Sequence, residues 1–161
     1  MKKLFLFLAS GFGVGYSKIF PGGLGAVMGF IISLPFLFVS YYLRLFLILV
    51  FTALAIFIAD QAEKIFNKKD PKQITIDEIV GVLISSVFII QNQIIKIYKY
   101  QIFSNILLLF WAFLLFVLMD KIKPFPAKKV QKIKGGVGIV LDDIIAGLYS
   151  GIIILAVSFL I

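Results

Sequence analysis

The chain has 161 residues, 61% of them hydrophobic and 15% charged, with 16 lysine and arginine residues against 8 acidic ones and a formal net charge of +8. That is the composition of an integral membrane protein, and the length fits one domain, 1–161. With no cysteine and no histidine, disulfides, thiolate or imidazole metal ligands, a cysteine nucleophile and histidine acid–base chemistry are excluded.

The N-terminus, Met1-Lys2-Lys3 followed by apolar residues, resembles the start of a signal peptide but carries no small-x-small cleavage pattern, so it reads as retained. Residues 4–16 are too few to span and are expected to lie at the interface or re-enter it. A first span is expected over 24–43 with a kink at Pro35, and a second over 45–59, directly after Arg44. A third starts at Ile79 and fades near Gln91-Asn92-Gln93, a fourth covers 102–119, and a fifth covers 139–161. The expected architecture is therefore all-α and polytopic, with about five spans and a short N-terminal interfacial or re-entrant segment.

Basic residues give this hairpin order a direction. With the N-terminus inside, 13 lysines fall in inner segments, while Arg44, Lys96 and Lys99 fall outside. Lysines beside apolar spans point to cytoplasmic loops and anionic headgroups rather than to nucleic acid. All eight acidic residues land on the inner side too. Five spans would not gather their carboxylates at one face by accident, so a shared site is expected there.

Five of those acids form three tight groups, Asp77-Glu78, Asp120 and Asp142-Asp143, at the edges of apolar segments. A carboxylate at a helix centre in the bilayer costs about 2.5–3.5 kcal/mol by the lower estimates, and neighbouring like charges add to that cost. A divalent cation offsets both effects. Within 70–81, "DPKQITIDEIVG", Thr75-x-x-Glu78 also fits a capping box and Asp70-Pro71 a turn, so structural and metal-ligating readings stand level. In "MDKIKPFP", Asp120 closes an uncharged span and Lys123 follows within a turn, which suits a metal and a phosphate oxygen, or simply a snorkelling helix end.

The sharpest signal is "GGVGIVLDDIIAG", 135–147. Neither a cap nor a solvated face explains two adjacent aspartates inside an apolar helix, and Gly135 and Gly136 can present amides to a phosphate. Gly22 and Gly23, in the glycine-rich stretch 11–26, are a second candidate headgroup loop, although the spacing matches neither a Walker nor a dinucleotide pattern. Asp60 and Glu63, at i, i+3 on one helix face, are further candidates, with a solvated helix end beside Lys64 as the simpler account.

Taken in order, these motifs resemble the phosphatidylglycerophosphatase A family of bacterial inner-membrane enzymes. The likeness runs from Gly11 to Gly147 and rests on Pro21-Gly22, "DPxxIxxDExxG", "DxxKPxP" and "GGxGIxxDDxxAG". It implies a Mg²⁺-dependent phosphatase that converts phosphatidylglycerophosphate to phosphatidylglycerol, and it points to Asp70, Asp77, Glu78, Asp120, Lys123, Asp142 and Asp143. Where the family commonly has Pro-Gly-Thr-x-Gly-Ser, this chain has Pro21-Gly22-Gly23-Leu24-Gly25-Ala26, without either hydroxyl.

The expectation is a membrane phosphatase with its site facing the cytoplasm. Asp77, Glu78, Asp142 and Asp143 are the expected Mg²⁺ ligands, with Asp143 also counted among the catalytic residues. Asp120 is expected as a further ligand or general base, and Lys123 as the cation for a phosphate oxygen. A CDP-alcohol phosphotransferase is the nearest alternative enzyme, but its "DGxxAR" run is missing. A carboxylate-lined cation transporter would need acids at several depths.

Overall fold

The computed structural model describes residues 2–89 and 98–158, with side chains in the fifth helix described from residue 102. Among the described residues there are seven α-helices, one 3-10 turn at Val14–Tyr16 and no strand. The helices are α1 (Lys2–Ala9), α2 (Pro21–Phe36), α3 (Tyr41–Phe66), α4 (Ile76–Ser86), α5 (Tyr98–Ile122), α6 (Ala127–Val130) and α7 (Gly136–Ser158).

Three helices are long and apolar enough to cross a bilayer: α3 with 26 residues, α5 over Ile102–Ile122 and α7 with 23. At 1.5 Å per residue each exceeds the roughly 30 Å of the hydrocarbon layer. The other expected spans are shorter. In α2 the 16 apolar residues reach about 24 Å, and Pro35 lies one residue from the helix end, so it terminates the helix where a mid-span kink was expected. Residues 37–40 then turn the chain into α3. The third apolar segment forms only the 11-residue α4, about 16 Å long. Its expected fading near 91–93 lies outside the described residues. α1, at eight residues, packs on α3 through an edge-to-face pair of Phe5 and Phe57.

α4 is the centre of the bundle. Apolar residues cover it on every side, the pattern of a helix with no solvent face, and Ile79, Val80, Val82 and Leu83 are fully buried. It packs most extensively against α7, then α2, and also touches α3 and α5. Its C-terminal end therefore needs partners inside the protein. Ser85 and Ser86 donate back to the Val82 and Leu83 carbonyls at 2.7 Å. Arg44 Nη2 donates to the Ile89 carbonyl at 2.7 Å and to that of Val87 at 3.4 Å. Arg44 was expected in an outer loop, but it sits in the first turn of α3 and is 1% exposed. The carbonyls released where α4 stops give Nη2 its acceptors, while Nε and Nη1 are buried without a partner among the described residues.

The α4–α7 contact depends on glycine. A Cβ at Gly147 would collide with the Gly81 carbonyl oxygen, and one at Gly81 would collide with the Phe116 ring. Backbones that meet this closely replace side-chain area by direct helix-to-helix contact. Gly147→Ala should therefore cost about 1–3 kcal/mol through overpacking and lower the thermal midpoint of the detergent-solubilised protein. A midpoint equal to the parent's would show that the two helices can part freely.

Candidate active site

Five segments converge at one end of the bundle around a cavity of about 400 Å³. The start of α4 contributes Asp77 and Glu78, α7 contributes Asp142 and Asp143, and α5 with the turn after it contributes Asp120 and Lys123. Asp70, Lys72 and Ile74 close it from the loop before α4, Gln131 from beyond α6, and Pro21-Gly22 from the N-terminal end of α2. All seven charged residues to which the family resemblance points, Asp70, Asp77, Glu78, Asp120, Lys123, Asp142 and Asp143, thus line one space. Lys72 and Gln131 join it without any motif to mark them. Gln131 Nε2 reaches Asp70 Oδ2 at 3.4 Å.

Inside the cavity, Asp77, Glu78 and Asp143 each bring one carboxylate oxygen within 4.8 Å of the others. Asp77 is 8% exposed and Asp143 3%. Asp77 Oδ1 and Glu78 Oε2 are sealed from solvent without a hydrogen-bond partner among the described residues. Unmet buried carboxylate oxygens facing one another are costly, and a hard divalent cation is the partner that suits three such donors. The donor set therefore fits a metal ion of the Mg²⁺ type, with no soft ligand present to favour another class.

Asp142 does something different from its neighbour. Its Oδ2 accepts a 2.7 Å hydrogen bond from Lys123 Nζ, in an ion pair that is only 6% exposed on the aspartate side. Burial by itself would lower the Lys123 pKa, but the Asp142 partner outweighs it and the net shift is upward, so the ammonium is secure. Lys123 adopts a left-handed backbone, φ 50°, just past the α5 end. Pro124 then forbids further helix, and Tyr149 Oη on α7 holds the Phe125 carbonyl at 2.8 Å. Asp120 lies close enough to Asp143 for a hydrogen bond between their side chains.

The expected capping box is not formed. Thr75 occupies the N-cap of α4, yet its side chain makes no cap hydrogen bond and Oγ1 is buried without a partner. Glycines crowd it instead: a Cβ at Gly11 would lie 2.8 Å from Oγ1, and one at Gly25 2.9 Å from Thr75 Cβ. Glu78 turns into the cavity and so cannot return to the cap. Gly22 leaves it room, since a Cβ there would stand 2.5 Å from Glu78 Oε1.

Asp60, Glu63, Gly135 and Gly136 do not line this cavity. Asp60 pairs with Lys64 at 2.7 Å. Glu63 accepts from the amides of Asp70 (3.1 Å) and Gly135 (2.9 Å), tying the loop before α4 to the start of α7. Of the two amides expected to face a phosphate, that of Gly135 is thus occupied by a carboxylate of α3, and Gly136 packs against the α3 backbone.

The model of the family named Phosphatidylglycerophosphatase A matches residues 7–158. The chain belongs to this family. Family membership makes it an enzyme, a phosphatase. A Bacteroides thetaiotaomicron protein named "Putative phosphatidylinositol-3-phosphatase" is 34% identical over 152 residues, covering 91% of this chain and 89% of that protein. The proteins named "Phosphatidylglycerophosphatase A" from Haemophilus influenzae and Escherichia coli are 31% and 28% identical, covering 94% and 89% of this chain and 87% and 77% of their own lengths. No solved structure matches.

Burial raises the Asp77 carboxyl well above its ordinary range, with the Glu78 charge adding to the shift, and burial pushes Glu78 up to about 8. An acid whose folded pKa is raised binds more protons folded than unfolded, so stability falls as pH rises between the two values. Metal-free protein should therefore lose thermal stability from about pH 4.5 to about pH 8, and Glu78→Gln should flatten that slope. A chelated parent whose melting temperature is flat over this interval would show that the carboxyls are not desolvated as described.

Proposed function

We propose that the protein hydrolyses the terminal phosphomonoester of phosphatidylglycerophosphate, giving phosphatidylglycerol and inorganic phosphate, as a single catalytic domain in the bacterial inner membrane. The reading is carried by the clustered carboxylates of Asp77, Glu78 and Asp143, two of whose oxygens are buried without a partner, with the Lys123–Asp142 pair lining the same cavity. Asp77, Glu78 and Asp143 are the residues to hold Mg²⁺. Bound there, the ion would neutralise phosphate charge and acidify a water.

The chain's own groups account for the rest. Lys123 offers its ammonium to a nonbridging phosphate oxygen, and Asp142 aims it and keeps it charged. Asp120, beside Asp143, is the base positioned to take the proton of an attacking water. The N-terminal end of α2 brings Pro21 and Gly22 to the cavity, beside Glu78, and of the two only Gly22 has an amide to offer an anion. Apolar α2, α5 and α7 surfaces around the cavity suit acyl chains. All eight carboxylates lie towards this end of the bundle, whereas a cation path would need them distributed along it.

Phosphate release is the deciding measurement. Asp143→Asn should reduce turnover of phosphatidylglycerophosphate by about 100-fold or more, and chelation should stop the parent until Mg²⁺ is restored. Parent-like turnover in the variant, or in excess chelator, would refute this site. The Bacteroides relative favours phosphatidylinositol 3-phosphate as the second substrate to assay. Faster turnover of that lipid would move the headgroup assignment without moving the site.

The active end is proposed to face the cytoplasm with the lysine-rich segments, while Tyr42, 83% exposed at the other end of α3, faces outside. The chain has no cysteine, so single Lys69→Cys and Tyr42→Cys variants can be labelled without background. An impermeant thiol reagent applied outside should reach position 42 alone. Labelling of both from one side would overturn the orientation.

A further inference from the structure

The "GG" turn that starts α7 lies on a different surface from the catalytic cavity. A groove of about 290 Å³ runs between α3 and α7, with Ala53, Ile56 and Phe57 on one wall and Val137 on the other. Both helices are candidate spans, and Phe57 and Val137 are 55% and 46% exposed, so this apolar channel opens sideways towards lipid. At its upper end Lys134 also lines a second cavity of about 270 Å³, together with Lys64, Lys68 and Lys69. Neither space shares a lining residue with the catalytic cavity.

The charge at this end is unbalanced. Lys64 is neutralised by Asp60, and Glu63 is occupied by two backbone amides. Lys69 donates to the Lys132 carbonyl, which leaves its charge uncompensated. Among the described residues no carboxylate pairs with Lys68, Lys69 or Lys134. Three ammoniums without a carboxylate partner, beside a channel that is apolar except for Asp60, match an occupant with an anionic head and a hydrocarbon tail.

We propose that this surface is a second, non-catalytic binding site for an anionic phospholipid, with its phosphate at Lys68, Lys69 and Lys134 and an acyl chain in the α3–α7 groove. The Gly135 amide takes no part, since Glu63 holds it. Glycine serves here by close approach: a Cβ at Gly136 would collide with the Ile56 carbonyl, so α7 starts flush against α3 and the groove floor is backbone.

Native mass spectrometry in detergent, with phosphatidylglycerol or phosphatidylcholine of identical chains, tests the assignment. The parent should retain phosphatidylglycerol preferentially, and Lys68→Gln/Lys134→Gln should weaken that retention about tenfold or more. Val137→Trp, which fills the channel from an exposed position, should weaken retention of the lipid as well. Lys68→Arg/Lys134→Arg should retain it like the parent, and so should Asp143→Asn, whose change lies in the other cavity. Parent-like phosphate release by the two lysine pairs would confirm that each is folded and keep this result separate from the catalytic assignment. Undiminished retention in the Gln pair or in Val137→Trp would overturn the proposal. Loss in Asp143→Asn would assign the lipid to the catalytic cavity instead, and displacement by inorganic phosphate would show a site for the free anion.

Discussion

Mutual repulsion among buried carboxylates constrains this structure more than any other interaction. Asp77, Glu78 and Asp143 place oxygens within 4.8 Å of one another in a space from which water is largely excluded. Burial penalises each charge, and like charges held that close in a low dielectric repel, so the Asp77 and Glu78 carboxyls hold their protons to higher pH than usual. Such an arrangement persists only if the scaffold is held by other means. Here those means are the α4–α7 contact through Gly81 and Gly147, the glycine-lined pocket for Thr75, and the Lys123–Asp142 pair that removes one charge from the repelling set.

The scaffold and the site are therefore built on opposite principles. Away from the cavity, α4 is apolar all round and its terminal carbonyls are met by Arg44 and two serines. Within the cavity the unmatched atoms are carboxylate oxygens, of Asp77 and Glu78, whereas those outside it belong to Arg44 and Thr75. The strain is stored where a phosphate and a cation would relieve it, and the compensating contacts lie on other faces of the same helix. A short central helix suits this arrangement, since it brings Asp77 and Glu78 down among the longer spans instead of leaving them at a membrane surface. The lysine-bearing groove between α3 and α7 belongs to the same end of the bundle but uses the opposite charge. Glu63, which lines the lysine cavity, ties the loop of the catalytic cavity to the start of α7.

Much of the site was legible in the residue order. Six acids and Lys123 were marked by motif, and all line one cavity, because an ionisable residue in an apolar segment has few structural excuses. All-helical architecture and the three long spans followed from hydropathy in the same way. What hydropathy could not separate was a short buried helix from a spanning one, since an apolar run looks alike whether lipid or protein covers it. α4 was read as the start of a span for that reason, and Arg44 as a loop residue because its carbonyl partners lie 43 and 45 positions away. The Thr75–Glu78 pair satisfied a local pattern, yet the cavity, a tertiary feature, claimed the glutamate.

The sequence by itself determined the chemistry: oxygen ligands only, one arginine, lysines and carboxylates sharing one face, and apolar helices to carry them. Composition and spacing are local properties, and they limit which bonds the chain can make. Tertiary structure decided the partition of roles. Adjacent Asp142 and Asp143 diverge, one to Lys123 and the other to Asp77 and Glu78, because successive residues on α7 point about 100° apart and meet different neighbours. Likewise Gly22 ended beside Glu78 while Gly135 and Gly136 ended against α3, although both runs read as equivalent glycine loops. Which helix packs against a glycine depends on how the whole bundle closes, and a linear pattern does not contain that information.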